Sequence, residues 1–184
     1  MPNAPAGKLP LGRRESVLVV PIDGSPAGEI VQLTVDLWSE GIQATLGESI
    51  AVPTRAYERD RQQYRAEELL AAVRELDGRR VLGVTARDVY SEGRDYAFGL
   101  ADPAGLAALI SFFRLRLRVD DATFHARALK EAIHQLGHTF GLGHCGNHRC
   151  VMSPASSPED IDRKSNRLCS KCLLRAQLRG SLPG

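Results

Sequence analysis

The chain has 184 residues, 43% of them hydrophobic, and its 24 basic and 22 acidic residues leave a formal net charge of +2. A chain of this size buries roughly 70% of its unfolded surface on folding, which predicts one compact domain. The near-neutral charge argues against a nucleic-acid or membrane-surface partner, and the apolar runs are all too short for a membrane span. We therefore expect a soluble, cytoplasmic protein that functions as a monomer.

The first third of the chain alternates between strand-like and helix-like segments. Residues 1–14 combine prolines, glycines and charges without the apolar core of a signal peptide, which predicts a loose lead-in. The apolar run at 15–23 predicts a central strand covered on both faces. Residues 26–41 have a helical spacing of apolar residues that ends at a glycine, and residues 42–53 return to strand-like character.

The middle of the chain continues this alternation. The charged run at 55–76 carries apolar residues at helical spacing, which predicts an exposed helix with an apolar back. Residues 79–90 predict a strand and a loop, and two short strands are expected around a turn at Asp102 and Pro103. The arginines of 114–118 predict a solvated strand face more readily than a DNA-binding one. Alternating strands and helices indicate an α/β layer with parallel strand pairs.

The stretch KEAIHQLGHTFGLGHC, residues 130–145, contains a candidate metal site. Asp120 and Asp121 are good N-cap residues, so we expect a helix from there to about Gly141. His134 and His138 are four residues apart, which puts both imidazoles on one helical face. A histidine pair at this spacing taken alone more often just shares a helix face.

The residues that follow the pair favour the metal interpretation. Gly141 allows the chain to turn, and His144 can then return towards the same point. Three imidazoles with an open fourth position are typical of catalytic zinc, whose bound water reaches a pKa of about 7. Three of the five histidines lie within the eleven residues 134–144. His125 and His148 fall outside the spacing, so we expect them to be structural or surface residues.

The four cysteines form two pairs in the last quarter of the chain. Cys145 and Cys150 are separated by four residues, and Cys169 and Cys172 by two. Four thiolates in two pairs predict a closed, tetrahedral structural zinc, with buried free cysteines or disulfides as the alternatives. Because Cys145 directly follows His144, this zinc would hold the segment that presents the third histidine.

These residues together resemble the metzincin pattern HExxHxxGxxH followed by a methionine turn. More narrowly they resemble the archaemetzincins, whose pattern adds Cys, four residues, Cys, one residue, Met and a distant CxxC. The matching positions are His134, His138, Gly141, His144, Cys145, Cys150, Met152, Cys169 and Cys172. The resemblance implies a zinc metallopeptidase with one catalytic and one structural zinc and a peptide or protein substrate.

The resemblance also implies an α/β (α+β) metzincin-like fold formed by residues 15–184 as a single domain. A twisted mixed sheet and two main helices would form an upper subdomain, 15–141, above an irregular, zinc-stapled lower subdomain, 142–184. Met152 would lie beneath the catalytic metal as a hydrophobic floor. An ordinary core methionine would have much the same environment. The edge strand that pairs with extended substrate is expected at 107–113.

Gln135 is the departure from the family pattern, which has glutamate there. The glutamate takes a proton from the attacking water and passes it to the leaving amine. Gln135 can hydrogen-bond the water but cannot do this, and loss of a general base costs about 10²–10⁴-fold in rate. We therefore predict retained zinc binding with little or no activity.

Two alternatives stay open. Glu131, one helical turn before His134, is a substitute base only if it reaches the water, and its position favours a supporting contact instead. The chain as a whole is either a peptidase impaired at Gln135 or a noncatalytic zinc-containing peptide-binding protein. Nucleic-acid binding by the cysteine segment is disfavoured because the net charge is only +2.

Overall fold

The computed structural model describes residues 5–9, 16–76, 80–103 and 105–180. The strands are β1 (Pro5–Gly7), β2 (Ser16–Pro21), β3 (Gln43–Leu46), β4 (Tyr57–Glu58), β5 (Gln63–Arg65), β6 (Arg80–Thr85), β7 (Val89–Tyr90), β8 (Gly99–Ala101), β9 (Ala107–Ser111) and β10 (Leu168–Cys169). The helices are α1 (Ala27–Ser39), α2 (Ala66–Arg74), α3 (Phe112–Leu115), α4 (Asp121–Thr139), α5 (Pro158–Arg163) and α6 (Ser170–Gly180), and a 3-10 turn covers Thr54–Ala56.

The central sheet has the strand order β3-β2-β6-β9-β8. Its first four strands are parallel, and β8 runs antiparallel to β9. The mixed sheet and the α/β class predicted from the sequence are therefore confirmed. The run expected as a central strand is β2, which lies between two neighbours and buries Val17, Val19 and Val20.

Helices cover the central sheet on both faces. Alternate residues of a strand point to opposite faces, and in β6 Leu82 and Val84 pack into the core on one side while Val81 packs into the core on the other. The first core is closed by the apolar faces of α1 and α4, and the second by α2. The sheet thereby holds α4, the helix with the histidine pair, against its surface.

The predicted helix at 55–76 is wrong in its first half. The chain forms the 3-10 turn and the antiparallel pair β4 and β5 before α2 begins at Ala66. Gln62, next to the start of β5, has a φ of 53°, a left-handed conformation that interrupts a helix. Tyr57 and Tyr64 face each other across the two strands with ring centroids 5.0 Å apart, a pairing that stabilises the hairpin.

The arginines of 114–118 do not form a strand face. The backbone enters α3 after Ser111, whose side chain accepts a hydrogen bond from the Phe113 N–H, and turns sharply at Arg118, where φ is 57°. Arg114 is held by Asp88 at 2.7 Å, and Arg116 pairs with acidic residues of α1 and α4. Two arginines of this basic run therefore form ion pairs with acidic residues elsewhere in the fold. The spacing of the arginines in the sequence did not indicate these pairs.

The predicted loose lead-in, 1–14, lies mostly outside the described residues. Its described part differs from that expectation, because Pro5–Gly7 pairs antiparallel with Leu168–Cys169 and Leu9 is buried. A Cβ at Gly7 would overlap the Leu173 side chain, so glycine permits this strand to lie close to α6. Within the described ranges, no helix is both long and apolar enough to cross a membrane.

Candidate active site

Helix α4 positions two of the three candidate histidine ligands. The Asp120 carboxylate caps the helix by accepting a hydrogen bond from the Thr123 N–H at 2.8 Å. After the helix ends, Gly141 adopts a φ of 71°, which glycine tolerates without strain. The chain then turns back, so that His134, His138 and His144 come together as a group of possible metal ligands.

Hydrogen bonds to the backbone fix the proton positions on two of these rings. Nδ1 of His134 is 2.8 Å from the carbonyl oxygen of Val151, and Nδ1 of His138 is 2.7 Å from that of Leu142. A carbonyl oxygen only accepts, so each Nδ1 carries the proton and each Nε2 presents a lone pair. The two Nε2 atoms lie 3.1 Å apart.

This arrangement fits a zinc ion. Tetrahedral zinc with Zn–N bonds of 2.0–2.1 Å separates its ligand nitrogens by about 3.3 Å. Burial lowers the pKa of His134 well below its usual value, and burial is also the main cause of the lowered pKa of His138 and of His144. The neutral imidazole is the form that binds metal. The ligand set and its protonation therefore both suit zinc.

The four cysteines form the second group of possible metal ligands. They are free thiols, and Sγ of Cys145 lies 3.8 Å from Sγ of Cys169. That separation matches the edge of a tetrahedron with Zn–S bonds of 2.3 Å, which is about 3.8 Å, and far exceeds the ~2.05 Å of a disulfide. The geometry fits a tetrathiolate zinc better than the disulfide alternative.

The cysteine group is partly prepared for ionisation. Burial opposes ionisation of Cys169, but hydrogen bonds from the Cys172 N–H and from the neighbouring thiols outweigh it and lower its pKa to about 7. Burial raises the pKa of Cys150 and of Cys172. The N–H of Cys169 also donates to Sγ of Cys150 at 3.3 Å, so backbone donors stabilise sulfur charge within the group.

Met152 lies on the segment that joins the two groups. It is fully buried, and a Cβ at Gly137 of α4 would overlap its Sδ atom. Its carbonyl accepts a hydrogen bond from the Cys145 N–H at 2.9 Å. Met152 was predicted from the sequence but Gly137 was not, although a glycine inside a helix costs about 1 kcal/mol relative to alanine and so signals a close approach.

Gln135 is buried in the wall of the cleft and held by Glu131. Its Nε2 donates to Oε1 of Glu131 at 2.7 Å. The other carboxylate oxygen, Oε2, is 3.7 Å from Nζ of Lys164. A carboxylate paired with an ammonium group is an acceptor, so the Gln135 amide must present its NH₂ to Glu131 and its Oε1 in another direction. The side chain at the base position is thereby oriented.

Lys164 belongs to this site but was not predicted from the sequence. Its side chain is 0% exposed, and it also donates to the carbonyl of Ser153 at 3.3 Å. Burial is the main cause of its lowered pKa, which the charge of Glu131 opposes. Lysine is scarce in this chain, with four in all, but nothing local in the sequence marks this one, because its partner is on a distant helix.

A cleft of about 540 Å³ opens in front of these residues. Its lining includes the three histidines, Gln135 and Glu131, the strand β8 with the loop before it, and the segment 154–156. His148 is exposed, and His125 is half-buried with its ring 5.2 Å from that of Phe124. Neither belongs to the histidine group that the structure describes.

The edge strand predicted at 107–113 is wrong. Ala107–Ser111 forms β9, which is paired on both sides and buried at every residue, whereas the edge strands of this sheet are β3 and β8 (Gly99–Ala101). A continuous apolar run is typical of an interior strand, but the sequence prediction assigned this run to the edge of the sheet. A Cβ at Gly99 would overlap the Leu109 carbonyl and crowd Gln135, so glycine lets β8 run close to the base position.

The sequence profile of peptidase family M54 matches residues 31–178. The chain belongs to peptidase family M54, the archaemetzincins. An archaemetzincin from Methanopyrus kandleri is 42% identical over 146 residues, which cover 75% of this chain and 83% of the relative. The resemblance drawn from the histidine and cysteine spacing is thus confirmed, and so is membership of a zinc metallopeptidase family of hydrolases.

Solved structures support the same assignment. The crystal structure of the archaemetzincin from Methanopyrus kandleri superposes with a TM-score of 0.83 at 34% identity, covering 95% of this chain and 99% of that one. A zinc-dependent peptidase from Methanocorpusculum labreanum gives a TM-score of 0.73 at 25% identity, covering 88% and 100%. The sheet with its covering helices is therefore the fold of M54 peptidases.

Proposed function

We propose that His134, His138 and His144 hold a catalytic zinc ion and that Cys145, Cys150, Cys169 and Cys172 hold a structural one. The observation that carries this proposal is the 3.1 Å approach of two Nε2 lone pairs whose rings are fixed by backbone carbonyls. Two neutral acceptors at this distance need a shared cation between them. A peptide substrate would lie in the cleft, paired with the free edge of β8.

The reaction is hydrolysis of a peptide bond. When bound, zinc supplies Lewis-acid polarisation of the scissile carbonyl and lowers the pKa of the attacking water to about 7. The carbonyls of Val151 and Leu142 keep the two helical imidazoles in the ligating orientation. Met152 supports the same helix from below by packing closely against Gly137.

Gln135 limits the reaction. With its NH₂ group committed to Glu131, its amide oxygen can accept a hydrogen bond from the attacking water but cannot retain the proton. Loss of the general base costs about 10²–10⁴-fold in rate. Glu131 is a poor substitute, because both its carboxylate oxygens are already engaged by Gln135 and Lys164. We therefore propose an M54 peptidase that binds peptides and cleaves them slowly or not at all.

The second candidate function is noncatalytic peptide binding. The ordered Gln135–Glu131 contact favours it, because the position has a defined hydrogen-bonding role without a base. The two functions share the cleft and both zinc ions and differ only in turnover. We also propose the division into subdomains 15–141 and 142–184, which is supported by the cleft having lining residues from both. A monomeric, cytoplasmic protein without a nucleic-acid partner stays a prediction from the sequence.

The metal assignment is tested by zinc stoichiometry. Elemental analysis of the purified protein should give close to two zinc ions per chain, falling to one in His138→Ala. His125→Ala is the matched control, because this histidine lies outside the metal group, and it should keep two. One zinc in both the parent and His138→Ala contradicts the histidine site, and no zinc in the parent contradicts both sites.

The role of position 135 is tested by Gln135→Glu. Restoring the carboxylate should raise the cleavage rate of a proteome-derived peptide library by about 10²-fold or more, the share of catalysis that a general base supplies. Mass spectrometry of the products measures this gain. If the variant binds peptides and still cleaves none, the noncatalytic function is the correct one.

A further inference from the structure

Arg94 places a positively charged side chain in the lining of the cleft. Among the described residues that line the cleft, it is the one arginine or lysine. Its side chain is exposed, and it makes no ion pair with any residue in the described ranges. The lining also includes the exposed Asp95, Leu100 and Ala101 of β8, and Pro103 just after that strand. The cleft wall therefore combines a guanidinium group with apolar residues.

The backbone beneath Arg94 is held in place. Its N–H donates to the carbonyl of Ser91 at 3.0 Å, and its own carbonyl accepts from Nη2 of Arg61 at 3.3 Å. Arg61 and Gln63 both donate to the next carbonyl, that of Asp95, at 3.0 Å. Among the described residues the guanidinium group has no ion-pair partner, and the anchored backbone of the loop reduces the ordering cost of binding a ligand.

The acidic residues of this region do not neutralise Arg94. The Asp95 carboxylate is fully exposed and lies 3.9 Å from Nη2 of Arg61, and Glu131 is buried beside Lys164. Arg94 lines the cleft together with His144, the third proposed zinc ligand.

We propose that Arg94 forms a carboxylate-binding subsite in the cleft, which selects peptides with a carboxylate close to the scissile bond. The carboxylate comes from an aspartate or glutamate side chain or from the peptide's C-terminus. A guanidinium group binds a carboxylate through two parallel hydrogen bonds, which suits this role better than an ammonium group. This inference rests on the proposed peptide-binding function and adds the chemical class of the ligand.

The subsite predicts a polarity for the bound peptide. The acidic residue should lie towards the start of β8, and apolar residues should be accepted towards Leu100 and Pro103. A charge-assisted hydrogen bond contributes about 1.5 kcal/mol or more, which corresponds to about tenfold in affinity. We therefore expect a glutamate peptide to bind about tenfold more tightly than its glutamine counterpart when the residue occupies the subsite.

Peptide binding to the zinc-loaded protein with Gln135 intact tests this without requiring turnover. The probes are fluorescently labelled, end-blocked alanine-based octapeptides with one glutamate, one glutamine or one lysine at each position in turn, together with the same scaffold carrying a free C-terminal carboxylate. Fluorescence polarisation gives their Kd values. Arg94→Met should abolish the preference for the carboxylate peptides, and Arg94→Glu should replace it with a preference for lysine peptides. Arg59→Met, an exposed arginine outside the cleft, is the control and should leave the preference unchanged.

Each outcome of this experiment either identifies the source of the carboxylate or overturns the subsite. Preference for internal glutamate assigns the subsite to side chains, and preference for the free C-terminus alone assigns it to chain ends. Equal binding of glutamate and glutamine peptides, or a preference that survives Arg94→Met, overturns the subsite and leaves peptide binding intact. If no probe binds and Gln135→Glu cleaves nothing, the proposed peptide function fails and the subsite with it.

Discussion

The two candidate zinc centres adjoin each other in the chain but are built in opposite ways. The histidine centre takes two ligands from a single helix and the third from just beyond its end, so local structure already brings its atoms together. The cysteine centre joins Cys145 and Cys150 to Cys169 and Cys172, which come from two separate segments. Metal binding at the cysteine centre therefore contributes its free energy to folding, because it joins separate segments. Metal binding at the histidine centre uses a fold that is already formed.

The segment between Cys150 and Met152 couples the two centres. The carbonyl of Val151 orients His134, and the carbonyl of Met152 receives the N–H of Cys145. Cys145 itself directly follows His144. Loss of the cysteine centre should therefore disturb the histidine centre, whereas loss of the histidine centre should leave the cysteine centre in place.

The largest expected effect comes from Cys172→Ser. Structural zinc in small domains is bound with about 10–16 kcal/mol, so removing one thiolate should cost several kcal/mol of folding free energy. In a chain of this size 1 kcal/mol shifts Tm by about 2–4 °C, which predicts a fall in Tm of about 10 °C or more. Thermal unfolding followed by circular dichroism, with zinc analysis, measures both the loss of stability and the loss of metal.

Two variants make this test specific. Lys171→Ser changes an exposed neighbour of Cys172 and should leave Tm and zinc content unchanged. His138→Ala should remove one zinc with a much smaller change in Tm than Cys172→Ser. The opposite result, with His138→Ala the more destabilising of the two, would reverse the roles assigned to the two centres.

Glu131→Gln should have the next largest effect. The substitution leaves the ammonium group of Lys164 buried without its counter-charge, and breaking a buried ion pair costs about 3–5 kcal/mol. Because Oε2 of Glu131 and Nζ of Lys164 are 3.7 Å apart, we expect a loss of stability at the lower end of this range. Chemical denaturation gives the change in free energy of unfolding. The double variant Glu131→Gln with Lys164→Met should recover part of the loss, and simple additivity of the two single variants would contradict the pairing.

Gly137→Ala tests the packing beneath the histidine helix. The added methyl group would overlap Sδ of Met152, and overpacking of a core costs about 1–3 kcal/mol. We expect this loss together with weaker zinc binding at the histidine centre and unchanged binding at the cysteine centre. Gly143→Ala is the matched control, because a Cβ there meets nothing within 4 Å. Equal effects of the two alanines on stability would contradict the close contact.

The smallest expected effect is a pH dependence of stability in protein that retains zinc only at the cysteine centre. Burial holds the pKa of His134 below 6.5 in the folded state, so as the pH falls through 6.5 the unfolded state takes up the proton first. Stability is therefore full above that pH and decreases as the pH falls towards the folded-state pKa. Thermal unfolding between pH 8 and pH 5 should show this decrease, and His134→Ala should make it smaller, with the remainder coming from His138 and His144, whose pKa values are also lowered.

Local elements of the site were predictable because spacing along the chain determines them. Asp120 as N-cap, the histidine pair on one helical face and the turn at Gly141 follow from helix geometry and from glycine's access to positive φ. The interior position of β2 followed from its continuous apolar run. The same reasoning failed at Ala107–Ser111, because an apolar run does not say which neighbours a strand has.

The sequence by itself identified the family and indicated the two candidate ligand sets and the absence of a carboxylate at Gln135, since residue identity and local spacing are enough for each. Only the tertiary structure decided that β8 is an edge strand of the sheet, that Lys164 reaches Glu131, and that Arg94 lines the cleft with no ion-pair partner in the described part of the chain. Each of these depends on which distant segments meet across the core. Which segments meet depends on how the whole chain buries its apolar surface, and no short stretch of sequence encodes that arrangement.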